Sequence, residues 1–261
     1  MSTLSLTLSD STTMLRRNLL HAKRYPSLTI QTFLMPIVML LLFVGVFGGA
    51  IGTGIEAEGG GKYIDYIVPG IILTVVTFGS MSTAISICTD MSEGIIARFR
   101  TMSISRSSVL AGHVISGMIM TIICVALVIG VAVIMGFRPQ AGVLAWIGLL
   151  GVLTLITFAL TWLTVALGLV SNTPEEASNL AFPISFLPFI SSAFVPTDSM
   201  PGPVAWFAEN RPFTPMIETM RGLLMGTPIG NSWWISIAWC VVATAVGFLW
   251  AKSAYNRDPS R

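Results

Sequence analysis

Six stretches of this chain each run for about 20 residues without an interior Asp, Glu, Lys or Arg, which is the length a helix needs to cross a bilayer. They lie near 28–50, 66–88, 113–135, 143–170, 177–196 and 233–251. None alternates apolar with polar residues, so helices rather than a barrel are expected. Only 10% of the 261 residues are charged and mean hydropathy is +0.81. A soluble domain carries about 25% charge, so the expected solvent is lipid. The net charge of +2 is too small to indicate a nucleic acid partner.

The fifth stretch holds Pro183 and Pro188, which interrupt a helical ladder that neighbours must then satisfy. The polar first 26 residues precede an apolar run too long for a signal peptide, so that run reads as a retained span. Within 12–26, Met14, Leu15, Leu19 and Ala22 recur at helical spacing beside Arg16, Arg17, Lys23 and Arg24. This is the pattern of an interfacial helix on anionic lipid.

Lys and Arg in short loops set orientation. With six spans, one side holds Arg16, Arg17, Lys23, Arg24, Arg98, Arg100, Arg106, Lys252, Arg257 and Arg261. The other holds Lys62, Arg138, Arg211 and Arg221. This places both termini in the cytoplasm and residues 51–65 and 197–232 outside. The latter segment is too polar to span yet carries Trp206, Phe207 and Phe213. It reads either as short helices at or dipping into the interface, with Glu218 and Arg221 paired at i,i+3, or as a surface loop.

The spans lack the ionisable residues that ion-coupled transporters and membrane hydrolases place at depth. The string GGGKY at 59–63 is no nucleotide-binding loop, because Glu56 and Tyr63 stand where that loop needs Gly and Ser or Thr. Cys88, Cys124 and Cys240 lie far apart in apolar surroundings and read as buried small hydrophobes, with no metal site expected. His113 reads as a helix-end residue rather than a catalyst.

Between the second and third spans lies a cytoplasmic segment at 90–106. On a helix over 94–103, Ile95, Ile96, Phe99 and Met102 share one face about 120° wide, with Glu93 and Arg100 opposite. Such a helix either lies on the membrane or docks on a partner. Carrying no charge, the spans suit a lipophilic or amphipathic cargo. Phe33, Met39, Phe43, Phe78, Met81, Phe182, Phe186 and Phe189 are candidates for its path, with ordinary packing as the alternative. Gly45 and Gly49 form a small-xxx-small step suited to close packing at a dimer seam.

Four motifs in order resemble the permease subunit of ABC-2 exporters of the daunorubicin/antibiotic-resistance type. They are "RRNLLHAKRYPSLTIQTFLMPIVML" with its RYP step and Pro36, "YIDYIVPGII" opening the second span, "DMSEGIIARFRTMSISRSSVLAGH" and the external "FVPTDSMPGPVAWFAENRPFTPMIETMRGLLMG". The chain departs at Ser103, where the family tends to have Pro, and at Arg211, which interrupts an Asn-Pro step.

The resemblance implies one all-α integral membrane domain over 1–261. It has six spans, an N-terminal interfacial helix, a cytoplasmic coupling helix and external re-entrant or interfacial helices before the last span. It implies a multi-pass protein of the bacterial cytoplasmic membrane, paired with a second permease, identical or homologous, and with two cytoplasmic ATPase subunits. Those subunits, not this chain, bind ATP and Mg²⁺. Glu93, Gly94, Ile95, Ile96, Phe99, Arg100 and Met102 would then couple to the ATPase. The expected activity is export of a lipophilic drug-like or lipid-like compound. Alternatives are export of a lipid-linked glycan or cell-wall lipid, and a non-transporting scaffold.

Overall fold

The computed structural model describes residues 26–49, 62–93, 106–209 and 211–256. The N-terminal segment to residue 25, Gly94 to Ser105 and the tail from residue 257 lie outside it, as do the side chains of 26–33 and 106–109. Among the described residues the chain is helical with no strand.

Helix α1 (Pro26–Leu42) runs into a π-helical turn at Phe43–Phe47. Then follow α2 (Tyr63–Ser92), α3 (Arg106–Ile134), α4 (Val143–Val170) and α5 (Pro174–Phe186), the last ending in a 3₁₀ turn at Leu187–Ile190. Two short helices, α6 (Gly202–Glu209) and α7 (Phe213–Met225), precede α8 (Ser232–Asn256). Among the described residues four helices are long and apolar enough to cross a membrane: α2, α3 from Leu110, α4 and α8 to Tyr255. In α1 the described apolar stretch is shorter, Leu34–Phe47.

The long helices overrun their apolar stretches at polar ends. Helix α2 starts at Lys62 with Asp65 in its first turn, where the helix dipole favours a carboxylate. Asp65 Oδ1 also accepts from the Arg138 backbone N–H at 3.3 Å, joining the start of α2 to the end of α3. The start of α5 is capped in both directions. Thr173 Oγ1 accepts from the Glu176 N–H, and Glu176 Oε2 accepts from the Asn172 backbone N–H at 2.8 Å and its amide at 3.1 Å. Pro174 fills the first helical position, which needs no donor. The Asn172 donors hold the Glu176 carboxyl below its usual range.

The fifth stretch is not one regular helix. It leaves α-geometry after Phe186, and Pro188 sits in the 3₁₀ turn. It still traverses the bundle, from beside Ile85 at Pro174 to beside Tyr66, whose hydroxyl donates to Ser192 O at 3.0 Å. At 1.5 Å per residue, Tyr66 and Ile85 of α2 are about 28 Å apart, close to the thickness of the hydrocarbon core.

Helix α2 sits at the centre, against α3, α4 and α5. Lipid gives helices no hydrophobic reason to associate, so close packing and interhelical hydrogen bonds must hold them. A Cβ on Gly79 would strike Thr121 of α3, and one on Gly117 of α3 would strike Thr83. One on Gly168 of α4 would strike the Ala84 carbonyl. Thr164 of α4 donates its hydroxyl to Ser80 O at 2.8 Å. Helix α8 packs chiefly on α4, where a Cβ on Gly247 would sit 2.7 Å from Leu163 N.

The outward surface is apolar, with Ile134, Val143, Leu144, Ile147, Val241 and Leu249 exposed. Trp146, Trp233 and Trp234 are partly or largely exposed near the bundle end where α4 and α8 begin, as interfacial tryptophans are. The three cysteines are free and buried.

Helix α4 supplies a matched test of close packing. Gly168→Ala drives a methyl into backbone, whereas Gly151→Ala meets nothing within 4 Å. Thermal unfolding of the detergent-solubilised protein is expected to show Gly168→Ala destabilised by about 1–3 kcal/mol. Gly151→Ala should be neutral or slightly stabilising. Equal behaviour would contradict this packing.

Candidate functional site

Four of the eight predicted cargo-path residues fall in one line of rings. Phe182 and Phe186 lie 5.0 Å apart by ring centroid, and Phe186 and Phe189 lie 5.2 Å apart. Phe189 then stacks on Phe194 at 4.9 Å with the planes 7° apart. Phe194 meets Phe43 of α1 at 4.6 Å, and Phe43 meets Phe47 at 5.6 Å. The ends of this ribbon are open: Phe182 and Phe186 are each 47% exposed and Phe47 is 40% exposed. Its middle is closed, with Phe194 only 6% exposed.

Aromatic character within the spans made Phe43, Phe182, Phe186 and Phe189 legible. Phe194 lies beyond the Pro188 break, where helical spacing no longer applies, and Phe47 joins through the π-helical turn. The other candidates divide. Met81 of α2 accepts a weak bond from Ser185 Oγ at 3.5 Å, so it backs α5. Met39 packs on the core, and Phe78 is half-buried on α2 outside the ribbon. The Phe33 side chain lies outside the described residues. Gly45 and Gly49 are exposed, with open space where a Cβ would stand.

An open cavity of about 360 Å³ lies at the foot of α5, lined by Ile85, Pro174, Glu175, Ser178 and Asn179. Glu175, Asn179, Phe182 and Phe186 are all exposed and follow one another at steps of four, three and four, so they share one stripe of the helix. Glu176 is spent on capping, whereas Glu175 faces the cavity.

The opposite end is closed by the segment that carries α6 and α7. Helix α7 does not lie on the surface: Phe213, Met216, Ile217, Met220 and Leu224 are buried in the core. Its C-terminus turns at Gly226, whose φ of 71° is left-handed and suits glycine. Arg221 and Glu218 do not form the predicted i,i+3 pair. Glu218 Oε2 accepts from Ser232 Oγ at 2.9 Å. Arg221 stacks 3.9 Å over the Tyr66 ring and donates to Ser192 O at 2.8 Å and to Tyr66 O at 3.4 Å. A guanidinium sunk among apolar helices must find acceptors, and the Ser192 carbonyl in the turn after the 3₁₀ segment supplies one. Arg221 thereby ties α7, α2 and the end of the fifth stretch together.

At the other end of α2, His113 is buried rather than a loose helix end. Its Nε2 lies 3.1 Å from Asp90 Oδ2. Glu93 closes α2, donating its backbone N–H to Thr89 O at 2.9 Å. The other coupling candidates, Gly94, Ile95, Ile96, Phe99, Arg100 and Met102, lie outside the described residues. Among the described residues no group of His, Cys, Asp and Glu could hold a metal.

Residues 10–225 match the family described as ABC-2 type transporter. The chain belongs to that family. It is 29% identical over 239 residues to the daunorubicin resistance ABC transporter permease protein DrrB1 of Streptomyces coeruleorubidus, covering 91% of this chain and 82% of that protein. It is also 29% identical over 229 residues to the probable doxorubicin resistance ABC transporter permease protein DrrC of Mycobacterium tuberculosis, covering 83% of this chain and 81% of that one. An ABC permease is a membrane protein that works with an ATPase carried on a separate subunit.

The Arg221 staple is testable by geometry-preserving and geometry-breaking substitutions. Arg221→Met removes the stack and both hydrogen bonds and is expected to cost about 2 kcal/mol or more. Arg221→Lys keeps the charge without the planar fork and should recover only part of the loss. Thermal melts, with protease accessibility of the segment around α7 as a second readout, check this. Wild-type melting of Arg221→Met would exclude the staple.

Proposed function

We propose that this chain is the membrane permease of an ATP-driven exporter for planar, lipophilic or amphipathic drug-like compounds. The aromatic ribbon carries the reading. It offers a sequence of flat apolar faces from an exposed stripe of α5 to the exposed end of α1, and no ionisable group stands at membrane depth along it. Flat rings bind one another by offset or tilted stacking with little demand for hydrogen-bond matching, which suits a pump of loose specificity. The names of the two relatives point to the same chemistry. Glu175 at the foot of the stripe would favour cargo that carries an amine.

On this reading the chain crosses six times, with α1 and the fifth stretch added to the four long helices. The Lys and Arg distribution then puts both termini and residues 90–106 in the cytoplasm of a bacterial cell, and α6 and α7 outside. Two ATPase subunits, binding ATP with Mg²⁺, would serve a pair of permeases, identical or homologous. The apolar face of Ile95, Ile96, Phe99 and Met102, rimmed by Glu93 and Arg100, is the docking surface on this reading, with Gly94 at its start. Gly45 and Gly49, open on α1, suit the seam between permeases.

Two measurements separate cargo recognition from coupling, both on the permease–ATPase complex in liposomes with doxorubicin as probe. Loss of one stacking ring costs about 0.5–1.5 kcal/mol, so Phe186→Ala should weaken apparent doxorubicin affinity roughly 2- to 10-fold with basal ATP hydrolysis unchanged. A central aromatic anchor is worth about 2 kcal/mol or more, so Phe99→Ala should weaken ATPase association at least about 30-fold. A wild-type complex that moves lipid-linked glycan but no doxorubicin would overturn the cargo assignment. A chain that copurifies with no ATPase would overturn the exporter.

A further inference from the structure

Helices α2 and α3 are joined along one seam, and the seam continues to the point where residues 94–105 leave and return. Gly79 faces Thr121, Thr83 faces Gly117, and Asp90 faces His113. On α2 the residues Gly79, Thr83 and Asp90 fall within about 40° of arc, and on α3 the residues His113, Gly117 and Thr121 fall within about 80°. Each step down α2 meets a step up α3. The upper contacts are gaps filled by a partner's hydroxyl side chain. The lowest is a polar contact of 3.1 Å between side chains only 12% and 4% exposed.

The surroundings of this contact are apolar. Ile87, Leu110, Val114, Leu169, Ala251 and Tyr255 form the buried cluster at this end of the bundle. Apolar residues would close such a site at least as firmly, because burying polar groups carries a desolvation cost. What a hydrogen-bonded pair adds is direction: it is satisfied in one register of α3 on α2 and broken by a slide or rotation. The pair stands three residues before Glu93 on one helix and seven after Arg106 on the other.

We propose that Asp90 and His113 are a positioning pair for energy coupling. They hold the feet of α2 and α3 in one register, so that a displacement of the intervening segment is delivered to both helices as one body. The Gly–Thr contacts above keep α2 and α3 in step, and the Gly168–Ala84 and Thr164–Ser80 contacts then carry that displacement from α2 to α4. The proposal rests on the reading that residues 90–106 meet the ATPase.

Reach separates positioning from mere filling of space. A glutamine at 113 can present its amide N–H where His113 Nε2 stands, whereas an asparagine is too short. The wild-type, His113→Gln, His113→Asn and Asp90→Ala permeases are reconstituted with their ATPase in liposomes. Doxorubicin moved per ATP hydrolysed is then recorded. The ratio is expected to stay within about 2-fold of wild type for His113→Gln. It should fall at least about 5-fold for His113→Asn and Asp90→Ala, with basal ATP hydrolysis kept, and the double variant Asp90→Ala/His113→Asn should be no worse than either single.

Equal ratios for the glutamine and asparagine variants would overturn the positioning role. So would a proportional fall of hydrolysis and transport together, which is the mark of lost folded complex. If Asp90→Ala fails to assemble, the glutamine–asparagine contrast alone decides. A wild-type complex that hydrolyses ATP and moves no doxorubicin would overturn the export reading, and this proposal with it. Wild-type transport combined with indifference to reach overturns only the pair.

Discussion

The close approach of α2 to its neighbours is the constraint on which the other features depend. In lipid, burying one apolar face against another gains little over burying it against acyl chains. The helices here associate through missing side chains and short hydroxyls instead. Gly70 and Gly79 on α2, Gly117 on α3 and Gly168 on α4 each leave a gap that a neighbour fills. Thr164 adds a hydrogen bond to the Ser80 carbonyl, and Ser80 Oγ lies 3.5 Å from Thr161 Oγ1. Helix α2 is therefore held on three sides through contacts that tolerate little change in register.

The aromatic ribbon is a consequence of one of those gaps. A Cβ at Gly70 would stand 2.6 Å from the Ala193 carbonyl oxygen, so the turn after the 3₁₀ segment rests directly on the α2 backbone. That docking places Phe194 beside Phe189 and Phe43. Tyr66 and Arg221 both bind Ser192 O, fixing the same turn from the other side. Pro188 breaks the ladder, Gly70 receives the turn, and Arg221 satisfies the Ser192 carbonyl. The break in the fifth stretch is thus a built feature.

The fold was legible in the sequence where a single physical quantity decided it. Apolar length alone located α2, α3, α4 and α8, and their observed ends differ mainly because helices continue into polar flanks such as Asp65 and Thr89–Ser92. Aromatic side chains within the apolar spans pointed to Phe43, Phe182, Phe186 and Phe189. Whatever depended on a partner far along the chain was not legible. Local charge spacing paired Arg221 with Glu218. The deciding fact was the Ser192 carbonyl 29 residues away, in the turn that follows the 3₁₀ segment. His113 lay beside no acid in sequence, and only the antiparallel seam brought Asp90 to it. Residues 90–106 stand out by their place between two spans and by one apolar helical face, and the structure describes the two ends of that segment.

The ribbon crosses between two unlike helices. On one side stands α2, tied at its foot to α3, at its middle to α4 and at its outer end to α7 and the Ser192 turn. On the other is α1, whose ladder passes through a π-helical turn over Phe43–Phe47, where the ribbon ends. A π-turn places the i→i+5 pattern inside an α-helix and leaves the local hydrogen bonds less regular. Gly45 within it meets nothing within 4 Å, and Val46 and Phe47 are exposed. The rings therefore run from the turn seated on α2 to the more open face of α1. On the proposed reading of the ribbon as a cargo path, a tightly packed wall beside a more open one would let stacking faces be offered in turn to each side of the membrane.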